Sequence, residues 1–196
     1  MTSFSPNGSI AFTDGQGFQA ATDGEIQVAT MANYDLSTVK RLNVKPKHNQ
    51  GYPSFDPTGS KIVFRTSNGV TYPPNSHVGS FPGTYHLEVM DADDGGNVRS
   101  LTPGDAAEYG GWNDTNIGDT HPYWGGHDLI VFASDRGHPT RLTIWTISAD
   151  GTKMKEIFDR GATSVHPSIL EPTPETPRAR IILSSTIAGC SIEEIS

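Results

Sequence analysis

Apolar residues in this chain fall in short alternating stretches or in runs of four to six, and no window sustains a helical period. Two stretches set the pattern, Tyr52 to Phe64 (YPSFDPTGSKIVF) and His121 to Phe132 (HPYWGGHDLIVF). Each reads as a Pro, an aromatic two residues later, a tight turn, then a β-branched run ending in Phe. A residue before Pro is biased toward β or polyproline geometry, so each unit is expected to open extended. Asp56-Pro57-Thr58-Gly59 and Gly125-Gly126-His127-Asp128 carry turn chemistry, with Pro pre-setting φ and Gly allowing positive φ. Lys61 to Phe64 and Leu129 to Phe132 then predict strands. Each unit is a hairpin.

Weaker copies flank these two. Phe4 to Phe12 (FSPNGSIAF) keeps the turn and the second strand. His166-Pro167-Ser168-Ile169 restarts the unit, and Arg180 to Ser184 supplies its second strand after a Pro-rich insertion. Aligned on the closing apolar residue (Phe12, Phe64, Phe132, Leu183), the spacings are 52, 68 and 51 residues. That is a blade-sized period, so the fold class expected is all-β, a β-propeller of four-stranded antiparallel blades. About three blades and part of a fourth fit in one domain over 1–196, at roughly 1–46, 47–104, 120–160 and 165–196. Third strands are expected near Glu25, Tyr85 and Leu142. Ala149-Asp150-Gly151 predicts a tight hairpin turn with two successive positive φ angles.

These stretches resemble the TolB-type propeller repeat. SFSPNGSIAF, YPSFDPTGSKIVF and HPYWGGHDLIVFASDRG match its Pro-x-Trp/Phe-Ser-Pro-Asp-Gly, Ile-Ala-Phe and Ser-x-Arg-x-Gly segments. EIQVATMANYDLSTVKRLN, HLEVMDADDGGNVRSLT and LTIWTISADGTKMKEIF are similar to the second half of that repeat. Gly125-Gly126 departs from it where Ser-Pro is expected, as does the stretch from Leu170 to Pro177.

Composition supports this reading and narrows the partners. With 21 Gly, 14 Pro and 34% apolar residues, the chain favours many short strands and turns. A net charge of −8 opposes a nucleic-acid surface, which needs clustered Lys and Arg to replace phosphate counterions. Lys40, Arg41, Lys45 and Lys47 form the one basic cluster, read as a solvated strand end and loop. Cys190 is alone, so no intrachain disulfide can support the fold. No apolar run reaches the length of a membrane span. Met1 to Phe4 lacks signal-peptide character, so export is expected if a signal lies upstream and a cytoplasmic place otherwise.

Catalytic signatures such as a Gly-x-Ser-x-Gly elbow or a His-Glu-x-x-His helix are absent from the sequence. Asp91 to Gly95 fails the calcium-loop spacing, since Thr102 stands where a bidentate Glu is needed, and is read as a turn. Asp135-Arg136-Gly137 is expected to form an ion pair with a neighbouring blade. Two long connections carry aromatics: Ser67 to Thr84 with Tyr72 and His77, and Asp105 to Asp119 with Tyr109 and Trp112. These four are candidate ligand-binding residues, because flat apolar faces beside Asp and Asn suit sugar or peptide pockets.

The histidines form the main constellation. His121 and His166 occupy one repeat position, before the Pro of the innermost strand, and Tyr52 holds that place in the second blade. Innermost strands of a propeller line its channel, so Tyr52, His121 and His166 are the candidate channel residues. Two imidazoles there can bind a transition metal or an anion. Resemblance to oligogalacturonate lyases implies the metal, since those relatives place channel histidines around a divalent ion. No cofactor is otherwise expected. Any such ligand should bind with a dependence between about pH 5.5 and 7.5, around the ordinary imidazole pKa.

The leading functional reading is a non-catalytic interaction module, binding a protein, peptide or small ligand at the channel mouth and long loops. The alternatives are a metal-assisted polysaccharide lyase of the oligogalacturonate type and the propeller part of a prolyl-oligopeptidase-type peptidase. Three blades and part of a fourth are too little sheet for a ring. Exposed strand edges then predict self-association or a longer parent chain.

Overall fold

The computed structural model describes residues 2–13, 25–30, 39–42, 50–67, 85–102, 118–138, 141–175, 178–185 and 189–194. Among these residues are fifteen strands in four antiparallel sheets and no helix. The first sheet holds β1 (Thr2–Phe4), β2 (Ser9–Thr13), β3 (Ile26–Thr30) and β4 (Lys40–Leu42). The second holds β5 (Gln50–Phe55), β6 (Lys61–Ser67), β7 (Tyr85–Asp91) and β8 (Arg99–Ser100). β9 (Asp119–Trp124), β10 (Leu129–Ser134), β11 (Thr143–Ser148) and β12 (Lys155–Phe158) form the third. The fourth has three strands, β13 (Ser164–Leu170), β14 (Arg180–Ser185) and β15 (Gly189–Glu194). Each sheet is a meander in chain order, which is the blade topology of a propeller. The fold is all-β, as the apolar pattern predicts.

Strand alternation explains how the sheets pack. Successive side chains point to opposite faces, so neighbouring residues of one strand serve two different cores. Phe64 joins Ala11, Ile26 and Leu42 between the first and second sheets. Its neighbour Val63 joins Phe132, Leu87 and Ile130 between the second and third. Val131 in turn packs with Leu183, Ile169 and Ile144 between the third and fourth. Phe64, Phe132 and Leu183 are thus equivalent, each fully buried against the preceding sheet. Full burial of such a side chain contributes on the order of 1.5–3 kcal/mol. Phe12 departs from the pattern and is only half-buried, because among the described residues no sheet covers that face.

The turns depart from expectation in an informative way. Positive φ in the third-sheet hairpin falls on His127 (57°) and Asp128 (57°), not on Gly125 or Gly126. Leu129 N–H donates to Gly126 O at 3.2 Å across this turn, whose two positive φ angles are those of type I′. The glycines serve close approach instead. A Cβ on Gly125 would stand 2.5 Å from Ile169 Cδ1, and one on Gly126 would stand 2.8 Å from Glu171 Oε2. A side chain at either glycine would therefore require Ile169 or Glu171 to shift. In the next turn of that sheet positive φ falls on Gly151 (88°) and Lys153 (57°), which are not successive, while Asp150 accepts from Thr152 N–H at 2.9 Å. The Asp91 to Gly95 segment is a turn as expected, with Asp91 accepting from Lys61 Nζ at 3.2 Å.

Candidate functional site

Tyr52, His121 and His166 share a backbone anomaly that the sequence does not reveal. Each has a left-handed φ, at 55°, 52° and 53° respectively. The expectation of extended geometry before Pro is therefore corrected. In all three sheets the register of the innermost pair slips here: Gly51 pairs with Arg65 and Ser54 with Val63, so Tyr52 and Pro53 together face Phe64. His121-Pro122 face Phe132, and His166-Pro167 face Leu183, in the same way. This is a β-bulge, which leaves one residue unpaired, and Pro fits it because Pro has no N–H to pair. Positive φ disfavours L-residues with a Cβ, so the conformation stores strain of the order of 1 kcal/mol at each position. What the bulge achieves is aim. It takes these side chains out of the face-to-face alternation and turns them to the inner edge.

There the three rings meet. Tyr52 and His121 have centroids 4.0 Å apart, and His121 and His166 are 4.3 Å apart, edge to face. Exposure rises along the series: Tyr52 is buried, His121 half-buried and His166 exposed. The repeat position thus brings together the three channel residues read from sequence. Tyr72, His77, Tyr109 and Trp112 lie outside the described residues.

Arg65 completes the cluster and is the residue that sequence reasoning missed. Its guanidinium lies 4.5 Å from the Tyr52 ring centre and 4.1 Å from that of Tyr85, a cation–π contact on each ring. Its Nη1 donates to Thr120 Oγ1 at 3.3 Å. Among the described residues no carboxylate pairs with it. A signal was available: the residue after the closing apolar position is Thr13, Ala133 or Ser184 in the other units, and only here a long cation.

Burial, the neighbouring His166 and the Arg65 charge together push the His121 pKa down to about 2. Burial lowers that of His166 as well. His121 is therefore neutral throughout the pH 5.5–7.5 window in which the sequence placed its titration, and the expected pH-linked binding through His121 is corrected. Its Nδ1 is buried and finds no hydrogen-bond partner among the described residues. Tyr52 is held protonated by the same burial, which raises its pKa.

Among the described residues His121 and His166 are the imidazoles of the cluster and no third ligating side chain joins them; the groupings of three lie elsewhere, at His138, Glu156 and Asp159 and at Asp91, Asp93 and Asp94. The Arg65 charge beside His121 also opposes a cation. In the Asp135-Arg136-Gly137 segment, Arg136 pairs with Asp119 of its own sheet, through Nη2 to Oδ2 at 2.5 Å and Nε to Oδ1 at 3.0 Å. That pair is buried and fixes the start of β9, two residues before His121.

Serine ties the inner strands to one another. Phe55 N–H donates to Ser3 Oγ at 3.1 Å, and Trp124 N–H donates to Ser54 Oγ at 3.0 Å. Ser3 and Ser54 are repeat equivalents, so successive innermost strands carry the same bond.

Solved structures share this architecture. TolB from Acinetobacter baumannii matches with a TM-score of 0.58 at 15% identity, over 100% of this chain and 42% of that one. A nidogen/laminin complex matches with a TM-score of 0.58 at 13% identity, over 94% of this chain and 56% of that one. An oligogalacturonate lyase in complex with manganese gives 0.55 at 13% identity, over 100% and 52%. This chain therefore spans about half the length of each of these three structures. At such identities the likeness is one of fold, a propeller of antiparallel blades. No family model matches the chain, and no curated protein matches it by sequence. Among the described residues no helix is long and apolar enough to cross a membrane.

Proposed function

We propose that residues 1–196 act as one non-catalytic propeller module that holds a peptide or protein partner at its inner edge. The observation that supports this is the Tyr52–His121–His166 stack, built by three equivalent bulges and graded from buried to exposed. Strained backbone repeated at one edge is a cost that packing between sheets does not require, since Phe64, Phe132 and Leu183 supply that packing. Aromatic rings with few rotatable bonds lose little entropy on binding, which suits a recognition surface. The nidogen/laminin match is to a complex between proteins, in keeping with this reading. A net charge of −8 leaves nucleic acid aside.

The test is a histidine-labelled NMR titration with a mixture of N-acetylated tetrapeptides, run beside one with neutral oligosaccharides. Peptides should shift the His166 and His121 signals, and His166→Ala should remove the effect. No shift with any peptide overturns the proposal. Turnover of oligogalacturonate with added manganese would favour the lyase reading, which rests on the same two histidines.

A further inference from the structure

We infer that the inner edge binds its ligand through a carboxylate group, received by the Arg65 guanidinium between the second and third sheets. This rests on the proposed binding role of the edge and names the chemistry it recognises. The guanidinium carries five N–H donors in a rigid plane. One nitrogen, Nη1, is engaged with Thr120 Oγ1. Nε is buried and has no partner among the described residues. Nη2 is on neither count accounted for, and it lies beside the one residue of β5 with no side chain, where a Cβ built on Gly51 would stand 3.9 Å from it. That same Cβ would stand 3.6 Å from Thr13 Oγ1, so a hydroxyl of the first sheet borders the same space.

Tyr52 and Tyr85 contact the cation through their ring faces, which fixes the plane of the fork and leaves its edge as the reactive direction. Edge-on recognition of a planar group is what a guanidinium does best, and a carboxylate matches it with two parallel acceptors. The His121 ring beside it is neutral and adds no second charge. A single cation on a chain of net charge −8 selects a ligand with one negative charge on an otherwise neutral body, because a polyanion meets the field of the rest. Two sources offer that chemistry, the C-terminus of a peptide and a small free carboxylate.

Three probes separate them: an N-acetylated tripeptide with a free C-terminus, the same tripeptide as its C-terminal amide, and acetate. Each is titrated into the intact chain by calorimetry or histidine NMR. The free-acid tripeptide should bind at least about tenfold more tightly than the amide, the worth of one charge-assisted hydrogen bond. Arg65→Gln should abolish that difference, and Arg65→Lys should restore only part of it. Gly51→Val, which covers Nη2 and leaves the guanidinium in place, should also abolish it, which guards against a folding defect in the Arg65 variants. Tight binding of acetate alone with no gain from the peptide assigns the site to a small carboxylate. Equal binding of acid and amide overturns this inference while leaving the peptide-binding reading intact. No binding of any probe overturns both.

Discussion

The rings of His121 and His166 stand 4.3 Å apart, edge to face, although they belong to different sheets. Each is delivered by a bulge with φ near 50°, and a one-residue slip in either strand would send it to another face. The closeness has a thermodynamic consequence.

His121 is depressed to about 2 in the folded chain and sits near 6.5 in the unfolded one. A base with a lowered folded pKa favours folding fully above its unfolded pKa, and that stability is lost as pH falls toward the folded value. In this window the unfolded state binds one extra proton, so stability falls by about 1.4 kcal/mol per pH unit. Lowering of the His166 pKa acts in the same direction. We expect urea denaturation of wild type to lose about 2 kcal/mol more than His121→Asn between pH 7 and pH 5. Asn stays neutral and tolerates positive φ. Parallel pH profiles would sink the assignment of His121 as a buried neutral base.

At His166 the backbone itself can be tested. The ring is exposed, so Ala and Gly remove the same packing, and they differ in their tolerance of φ 53°. In an ordinary strand Ala is the better residue. Here His166→Gly should be more stable than His166→Ala by about 1 kcal/mol. The reverse order in chemical denaturation would mean that the bulge is not left-handed in solution.

The buried pair of Asp119 and Arg136 should behave as a unit. Asp119→Asn removes the buried carboxylate that receives the Arg136 guanidinium, at a cost of about 3–5 kcal/mol. Asp119→Asn with Arg136→Met should cost clearly less than the two single changes added together, measured by a double-mutant cycle. Simple additivity would show that the two groups do not depend on each other.

Repeat equivalence makes a prediction at the closing apolar positions. Phe132→Ala opens a cavity between two sheets and should cost about 3–5 kcal/mol. Phe12→Ala removes a half-buried ring and should cost less than half as much. Equal losses would mean that a further sheet or a second copy of the chain covers Phe12 in solution, a result that native mass measurement would then explain.

How far the sequence was legible follows from which interactions repeat. Phe64, Phe132 and Leu183 could be aligned because strand alternation and hairpin turns are written locally, and their burial followed. The convergence of Tyr52, His121 and His166 was legible for the same reason, as equal positions on equal strands. Their left-handed φ was not, since Pro at the next position signals only what it disfavours, and the bulge is decided by pairing with β6, β10 and β14. The turn at Gly125 to Asp128 was legible but the site of its positive φ was not, because glycine is ambiguous between conformational freedom and close approach, here to Ile169 and Glu171. Arg65 lay hidden inside an apolar strand, visible only by comparison with Thr13, Ala133 and Ser184.

Gly118 offers the most direct test of how the cluster is held. It has φ 70° and forms an isolated parallel bridge with Tyr85, the residue whose ring carries Arg65 at 4.1 Å. A Cβ there would stand 2.2 Å from the Tyr85 carbonyl oxygen and 2.9 Å from its nitrogen, backbone atoms that cannot rotate aside. Gly118→Ala should therefore cost about 3 kcal/mol, from left-handed strain together with forced displacement of β7. Gly137→Ala is the control, because Gly137 has the same φ of 70° with nothing within 4 Å of its would-be Cβ. It should lose only the conformational part, about 1–2 kcal/mol. Displacement of Tyr85 should also release one face of the Arg65 guanidinium, so Gly118→Ala should weaken binding of the free-acid tripeptide and Gly137→Ala should leave it unchanged. Equal stability losses at the two glycines, or unchanged binding in Gly118→Ala, would show that the Tyr85 contact does not position Arg65.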